Sequence, residues 1–140
     1  MSKALWLDSV DQKKILKYKK LEGGVSSEVY KVVTKKKVFC IKRSLRKLLV
    51  KKKWIADQNR LYYEFLWLKH CKKILIENIP ETFEYNDEKK YVVMEYFDDK
   101  KYKTLKELYF KKKISFNTIK SISRNLLDIH LSSSNEKTKK

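Results

Sequence analysis

Apolar and polar positions change period along this chain in an order that predicts mixed helix and sheet. Asp8 or Ser9 can cap a first helix running to about Tyr18, to which Val10, Ile15 and Leu16 give a modest apolar side. β-Branched and aromatic residues dominate Val29 to Val33 and Val38 to Lys42, two strands around a Lys35-Lys36 turn. Ser44 to Gln58 is a basic, partly amphipathic insertion. Leu61, Phe65 and Leu68 then recur at helical spacing and predict a helix from about Gln58 to Lys72, with Glu64 bordering its buried face. Ile79-Pro80 leads into an extended stretch, with a strand at Thr82 to Tyr85, a turn at Asn86 to Lys90 and a strand at Tyr91 to Phe97. With a Gly23-Gly24 turn between strands ahead of these, five strands and one lateral helix are expected.

After Asp98-Asp99 the period becomes helical. Thr104-Leu105-Lys106-Glu107 is a capping box for a helix to about Lys112. Ser115 can cap another, whose Ile119, Ile122, Leu126 and Ile129 form an apolar stripe reaching His130. The expected fold class is α+β: a five-stranded antiparallel sheet with a lateral helix over residues 1–97, a hinge and first helices of a second part over 98–131, and a polar, frayed tail over 132–140.

Composition narrows the function classes. The 140 residues are 42% apolar, enough for one real core, and carry a formal net charge of +18. That charge is mostly Lys spread over every segment, with Arg only at Arg43, Arg46, Arg60 and Arg124. Phosphate and base-edge clamps favour the guanidinium fork, so nonspecific polyanion affinity is expected and a dedicated nucleic-acid partner is not. Cys40 and Cys71 lack metal-ligand spacing and read as small hydrophobes in a reducing compartment, with no disulfide. No apolar run approaches the length of a membrane-spanning helix, which points to a cytoplasmic location with no membrane partner.

Few residues are placed to carry chemistry. Gly23 and Gly24 allow a tight turn with backbone N–H groups close to a ligand, and Ser26 and Ser27 add hydroxyls suited to phosphate oxygens, although a plain hairpin turn uses the same residues. There is no Gly-Lys-Ser or Gly-Lys-Thr run, so this is not a Walker loop. Lys42 ends the following strand, and Glu64 lies on the predicted helix. The bland alternative pairs Arg60 with Glu64 at i, i+4 and leaves Lys42 as one surface Lys among many. Glu95-Tyr96-Phe97 closes the last strand, where a backbone hinge at Glu95 and Phe97 can meet an adenine ring walled by Val29, Ile41 and Met94; Met94 serves equally as core. Asp98 and Asp99 read as solvated loop residues rather than metal ligands. His130 has no nucleophile or acid partner in sequence order, so its place on an apolar helix reads as packing.

Leu21-Glu22-Gly23-Gly24-Val25-Ser26-Ser27-Glu28-Val29-Tyr30, Phe39-Cys40-Ile41-Lys42, Glu64 and Tyr91-Val92-Val93-Met94-Glu95-Tyr96-Phe97 together resemble the amino-terminal lobe of the aminoglycoside phosphotransferase and choline kinase-like superfamily, which has a protein-kinase-like fold. Leu126-Leu127-Asp128-Ile129-His130 looks like the first large-lobe helix of those proteins, and Trp54, Arg60 and Glu64 after Lys42 resemble methylthioribose kinase in particular, with a different glycine-rich loop.

The resemblance implies a kinase-like small lobe plus the first helices of an incomplete large lobe. It implies that Lys42 reaches the α- and β-phosphates of ATP, with Glu64 fixing it. The complete enzyme would use ATP and Mg²⁺ to phosphorylate a hydroxyl of a small-molecule acceptor. No catalytic Asp and no metal ligand can be assigned on this chain, so weak or absent ATP binding without turnover is expected, together with self-association or a complementing large lobe. The alternatives are a non-catalytic nucleotide-binding or regulatory remnant and, less favoured, a basic nucleic-acid-binding domain.

Overall fold

Cross-strand rows of alternating residues organise the chain from Ile15 to Glu95. The computed structural model describes residues 15–22, 24–75 and 78–137. Strands β1 (Ile15–Leu21), β2 (Ser27–Thr34), β3 (Val38–Ser44), β4 (Thr82–Asn86) and β5 (Tyr91–Glu95) form one sheet in the order β1-β2-β3-β5-β4. Every neighbouring pair is antiparallel. Helices α1 (Arg60–Ile74), α2 (Leu105–Phe110) and α3 (Phe116–Lys137) accompany it, giving a small α+β protein.

Tyr30 stands opposite Ile41 and Ile41 opposite Val93, while Val32 faces Phe39. With Tyr91 these side chains make the buried cluster on one face of the sheet, with Ile15 packed against it. Alternation sends Val29, Cys40, Lys42, Val92 and Met94 to the opposite face. There Leu61 of α1 is buried, and the rings of Tyr62 and Phe65 lie 5.4 and 5.2 Å from that of Tyr85. The lateral helix therefore covers the Lys42 face near β4.

Three expectations need correction. Residues 15–18 belong to β1 rather than to a first helix, because this Lys-rich segment is held by its ladder to β2, with Tyr18 opposite Val32 and Lys20 opposite Tyr30. Tertiary pairing overrides the helical reading there; residues 8–14 lie outside the described residues. The last strand ends at Glu95, not Phe97. Helix α3 continues through Lys137 instead of giving way to a polar tail at 132, and Ser133 and Ser134 donate their hydroxyls to the carbonyls of His130 and Leu131 at 3.0 and 2.9 Å, satisfying themselves within the helix.

The insertion between β3 and α1 is a small antiparallel turn. Lys47 bridges Ile55, Leu48 N–H donates to the Trp54 carbonyl at 3.0 Å, and Ala56 N–H donates to that of Arg46 at 2.9 Å.

The chain divides into two compact units, the first running to Lys69 with Pro80–Tyr96 and the second comprising His70–Ile79 with the chain from Phe97 onward. In the second, Cys71 and Leu75 are buried, and the rings of Phe97 and Tyr102 meet at 4.9 Å. Thr104 caps α2 by accepting the Glu107 N–H at 3.1 Å. The helix ends in a Schellman motif, with Lys112 N–H on the Tyr109 carbonyl, Lys113 N–H on the Leu108 carbonyl and Lys112 at φ 52°. Ser115 accepts the Thr118 N–H at 3.1 Å at the start of α3, whose Phe116, Leu126, Leu127 and Leu131 are exposed. Among the described residues no helix is long and apolar enough to cross a membrane.

Candidate functional site

The site is built where β3 leaves the sheet and α1 begins. Lys42 stands between Val29 of β2 and Val92 of β5 on the sheet face opposite the buried Tyr30–Ile41–Val93 cluster. An ammonium flanked by aliphatic strands needs a counter-charge, and α1 supplies it. Lys42 Nζ donates to both carboxylate oxygens of Glu64, at 2.5 and 2.8 Å. Their side chains are 25% and 38% exposed, so the pair is neither sealed from water nor fully solvated. Both lie in the first unit.

The loop ahead of β2 approaches the same end of the sheet. Ser27 faces Ser44 in register, two residues or about 7 Å along the strands from the Val29 and Lys42 row. A Cβ on Gly24 would come within 2.9 Å of the Ser27 carbonyl oxygen, so the curl of this loop depends on glycine here. The Ser26 carbonyl accepts the Leu45 N–H at 3.0 Å, and the Val25 carbonyl accepts that of Leu49 at 2.8 Å. Gly23, expected beside Gly24, lies outside the described residues. Ser27 is buried beside Ser44, whereas Ser26 is half-buried and contributes its carbonyl.

Two sets of contacts at the base of α1 are not among the sequence expectations. Ser44 Oγ donates to the Gln58 carbonyl at 3.1 Å, while Gln58 Nε2 donates to the Ser44 carbonyl at 2.8 Å. Arg60 does not pair with Glu64 as i, i+4 spacing allows. Its guanidinium donates to the carbonyls of Asp57, Ser26 and Leu45. Backbone acceptors carry no residue signature, which is why the sequence gives no signal for this clamp.

The predicted adenine walls separate. Val29 and Met94 share the Lys42 face, joined by Cys40, which stands opposite both Lys31 and Met94. Ile41 points the other way, into the buried cluster, because strand alternation puts it one position out of phase with Lys42. Burial pushes the Cys40 thiol up to about 11, against a smaller opposing effect of Lys31, so it sits there as a neutral apolar group. Lys31 Nζ lies 4.1 Å from the centroid of the Tyr96 ring.

Glu95 stands opposite Phe39, on the clustered face. Its N–H donates to the Glu81 carbonyl at 2.8 Å and its carboxylate accepts the Glu81 N–H at 3.1 Å, so these groups close the sheet edge. Phe97 belongs to the second unit. Asp98 builds a turn, accepting the Lys100 N–H on its side chain at 2.9 Å and the Tyr102 N–H on its carbonyl at 2.7 Å. Among the described residues no group of His, Cys, Asp and Glu is arranged to hold a metal ion, and His130 is exposed.

No protein-family model matches this sequence, and no curated protein matches it.

Proposed function

We propose that the first unit is the nucleotide-binding lobe of a kinase-like, ATP-dependent small-molecule phosphotransferase of the aminoglycoside phosphotransferase and choline kinase-like group. The observation that carries this reading is the two-oxygen grip of Glu64 on Lys42. A lysine on a central strand, held by a carboxylate from the lateral helix, is the arrangement by which kinase folds present an ammonium to the α- and β-phosphates. Val29, Cys40 and Met94 on the same face give the base an apolar seat, and the glycine loop adjoins the Lys42 row. In this reading the lobe binds and orients ATP for transfer to a hydroxyl acceptor. A cytoplasmic location accords with that chemistry.

The test is calorimetric titration of the 140-residue chain with ATP and Mg²⁺, repeated on Lys42→Ala. Removing one charge-assisted contact of about 1.5–3 kcal/mol should weaken binding roughly 10- to 150-fold. Binding that is equal in the variant, or that vanishes at elevated salt as nonspecific polyanion binding does, would reject the reading.

A further inference from the structure

We propose that Arg60 is a positioning residue that ties the glycine loop to the helix carrying Glu64, so that the loop and the Lys42–Glu64 pair are set as one unit.

The hydrogen bonds form a closed circuit. Leu45 donates its N–H to the Ser26 carbonyl at 3.0 Å, and Arg60 Nη2 then donates to both the Ser26 carbonyl, at 2.5 Å, and the Leu45 carbonyl, at 2.8 Å. Arg60 Nη1 returns to the Asp57 carbonyl just ahead of α1. One guanidinium thus joins the loop before β2, the residue after β3 and the base of α1. Glu64 follows Arg60 by four residues, about one helical turn, so a shift of α1 that breaks the Arg60 contacts also displaces the carboxylate from Lys42. The Ser44 and Gln58 exchange seats the same helix base against the end of β3.

Charge explains why the arrangement is selective. With its charge satisfied by three carbonyls, Arg60 leaves Glu64 to Lys42, although i, i+4 spacing offers the competing pair. The planar fork serves several acceptors at fixed angles, which a lysine ammonium on a flexible stem does not. Arg60 thereby links loop position to the orientation of the ammonium, and the grip on nucleotide follows from that link; this last step rests on the function proposed above.

The experiment compares the full chain with Arg60→Lys, Arg60→Ala, Glu64→Gln and the Arg60→Lys/Glu64→Gln double variant. Without ligand, Arg60→Lys should speed amide hydrogen exchange at Leu45 and Leu49 by about tenfold or more while leaving Ile41 and Val93 unchanged, a difference that global loosening cannot produce. The Lys42 Nζ resonance should move toward its position in Glu64→Gln. With ATP and Mg²⁺ as probe, Arg60→Lys should weaken binding about 3- to 10-fold in the parent chain and have little further effect in the Glu64→Gln background. Unchanged exchange at Leu45 and Leu49 with an unchanged Lys42 resonance would overturn the proposal, as would equal acceleration across the sheet. If the parent chain fails to bind ATP but the two ligand-free signatures appear, the nucleotide reading falls and the positioning role of Arg60 stands.

Discussion

Replacing Glu64 by Gln preserves shape and takes away one charge, leaving the Lys42 ammonium with a single amide oxygen as acceptor. Two bounds set the size of the effect. Exposed ion pairs contribute about 0.2–1 kcal/mol, whereas losing one partner of a fully buried pair costs about 3–5 kcal/mol. Lys42 is 25% exposed and Glu64 38%, which places the pair toward the solvated end, but both carboxylate oxygens are engaged. A loss of about 1 kcal/mol follows, with a Lys42–Glu64 coupling of similar size. Urea unfolding of the parent, Lys42→Met, Glu64→Gln and the double variant measures it, provided the denaturant slope is constant across the four. Raising salt to 1 M, where the screening length falls to about 3 Å, should reduce the coupling only in part, because the groups are in contact and part-buried. Coupling near zero at low salt would mean that the two side chains do not hold each other in solution, and the geometric basis of the site would be lost.

Gly24→Ala forces a methyl against the Ser27 backbone carbonyl and should destabilise the first unit by about 1–2 kcal/mol in the same urea assay. Lys112→Gly should stabilise the second unit by about 1 kcal/mol, since Lys112 holds a left-handed backbone conformation at the end of α2 that costs a side-chain-bearing residue energy. Cys40 should make stability fall as pH rises: between its ordinary value near 9 and its folded value of about 11 the unfolded chain releases the thiol proton while the folded chain retains it. Because Cys40 is only half-buried, the parent should lose about 1 kcal/mol more than Cys40→Ala across that window, measured as the difference between their unfolding curves.

The sheet was legible where β-branched and aromatic residues cluster, as in β2, β3 and β5, because burial on one face and turn residues at the ends agree. β1 was not, because Ile15–Leu21 carries three lysines, leaves its five central residues exposed and owes its conformation to its neighbour. The Lys42 and Glu64 meeting follows the expectation that the kinase-like resemblance supplies, which local spacing alone leaves open against an Arg60–Glu64 pair; the facing of Ile41 and Glu95 required the strand register. Arg60 illustrates the harder case. Its local spacing suggests a partner four residues away, while its acceptors are backbone carbonyls as far off as Ser26, a long-range choice that no sequence period encodes. Ser132 to Lys137 looked too polar for structure, yet α3 carries on through it, with serine hydroxyls back-bonded to the helix.

The most direct test of the nucleotide reading is methyl-resolved NMR of the chain titrated with ATP and Mg²⁺, because the two faces of the sheet carry separate reporters. Val29, Val92 and Met94 share the Lys42 face, while Val32, Ile41 and Val93 fill or border the opposite one. Saturable shifts concentrated at the Val29, Val92 and Met94 methyls, reduced in Lys42→Ala, are the predicted result. Shifts confined to the exposed lysine turns, or a titration that leaves the Lys42 face unmoved, would contradict it.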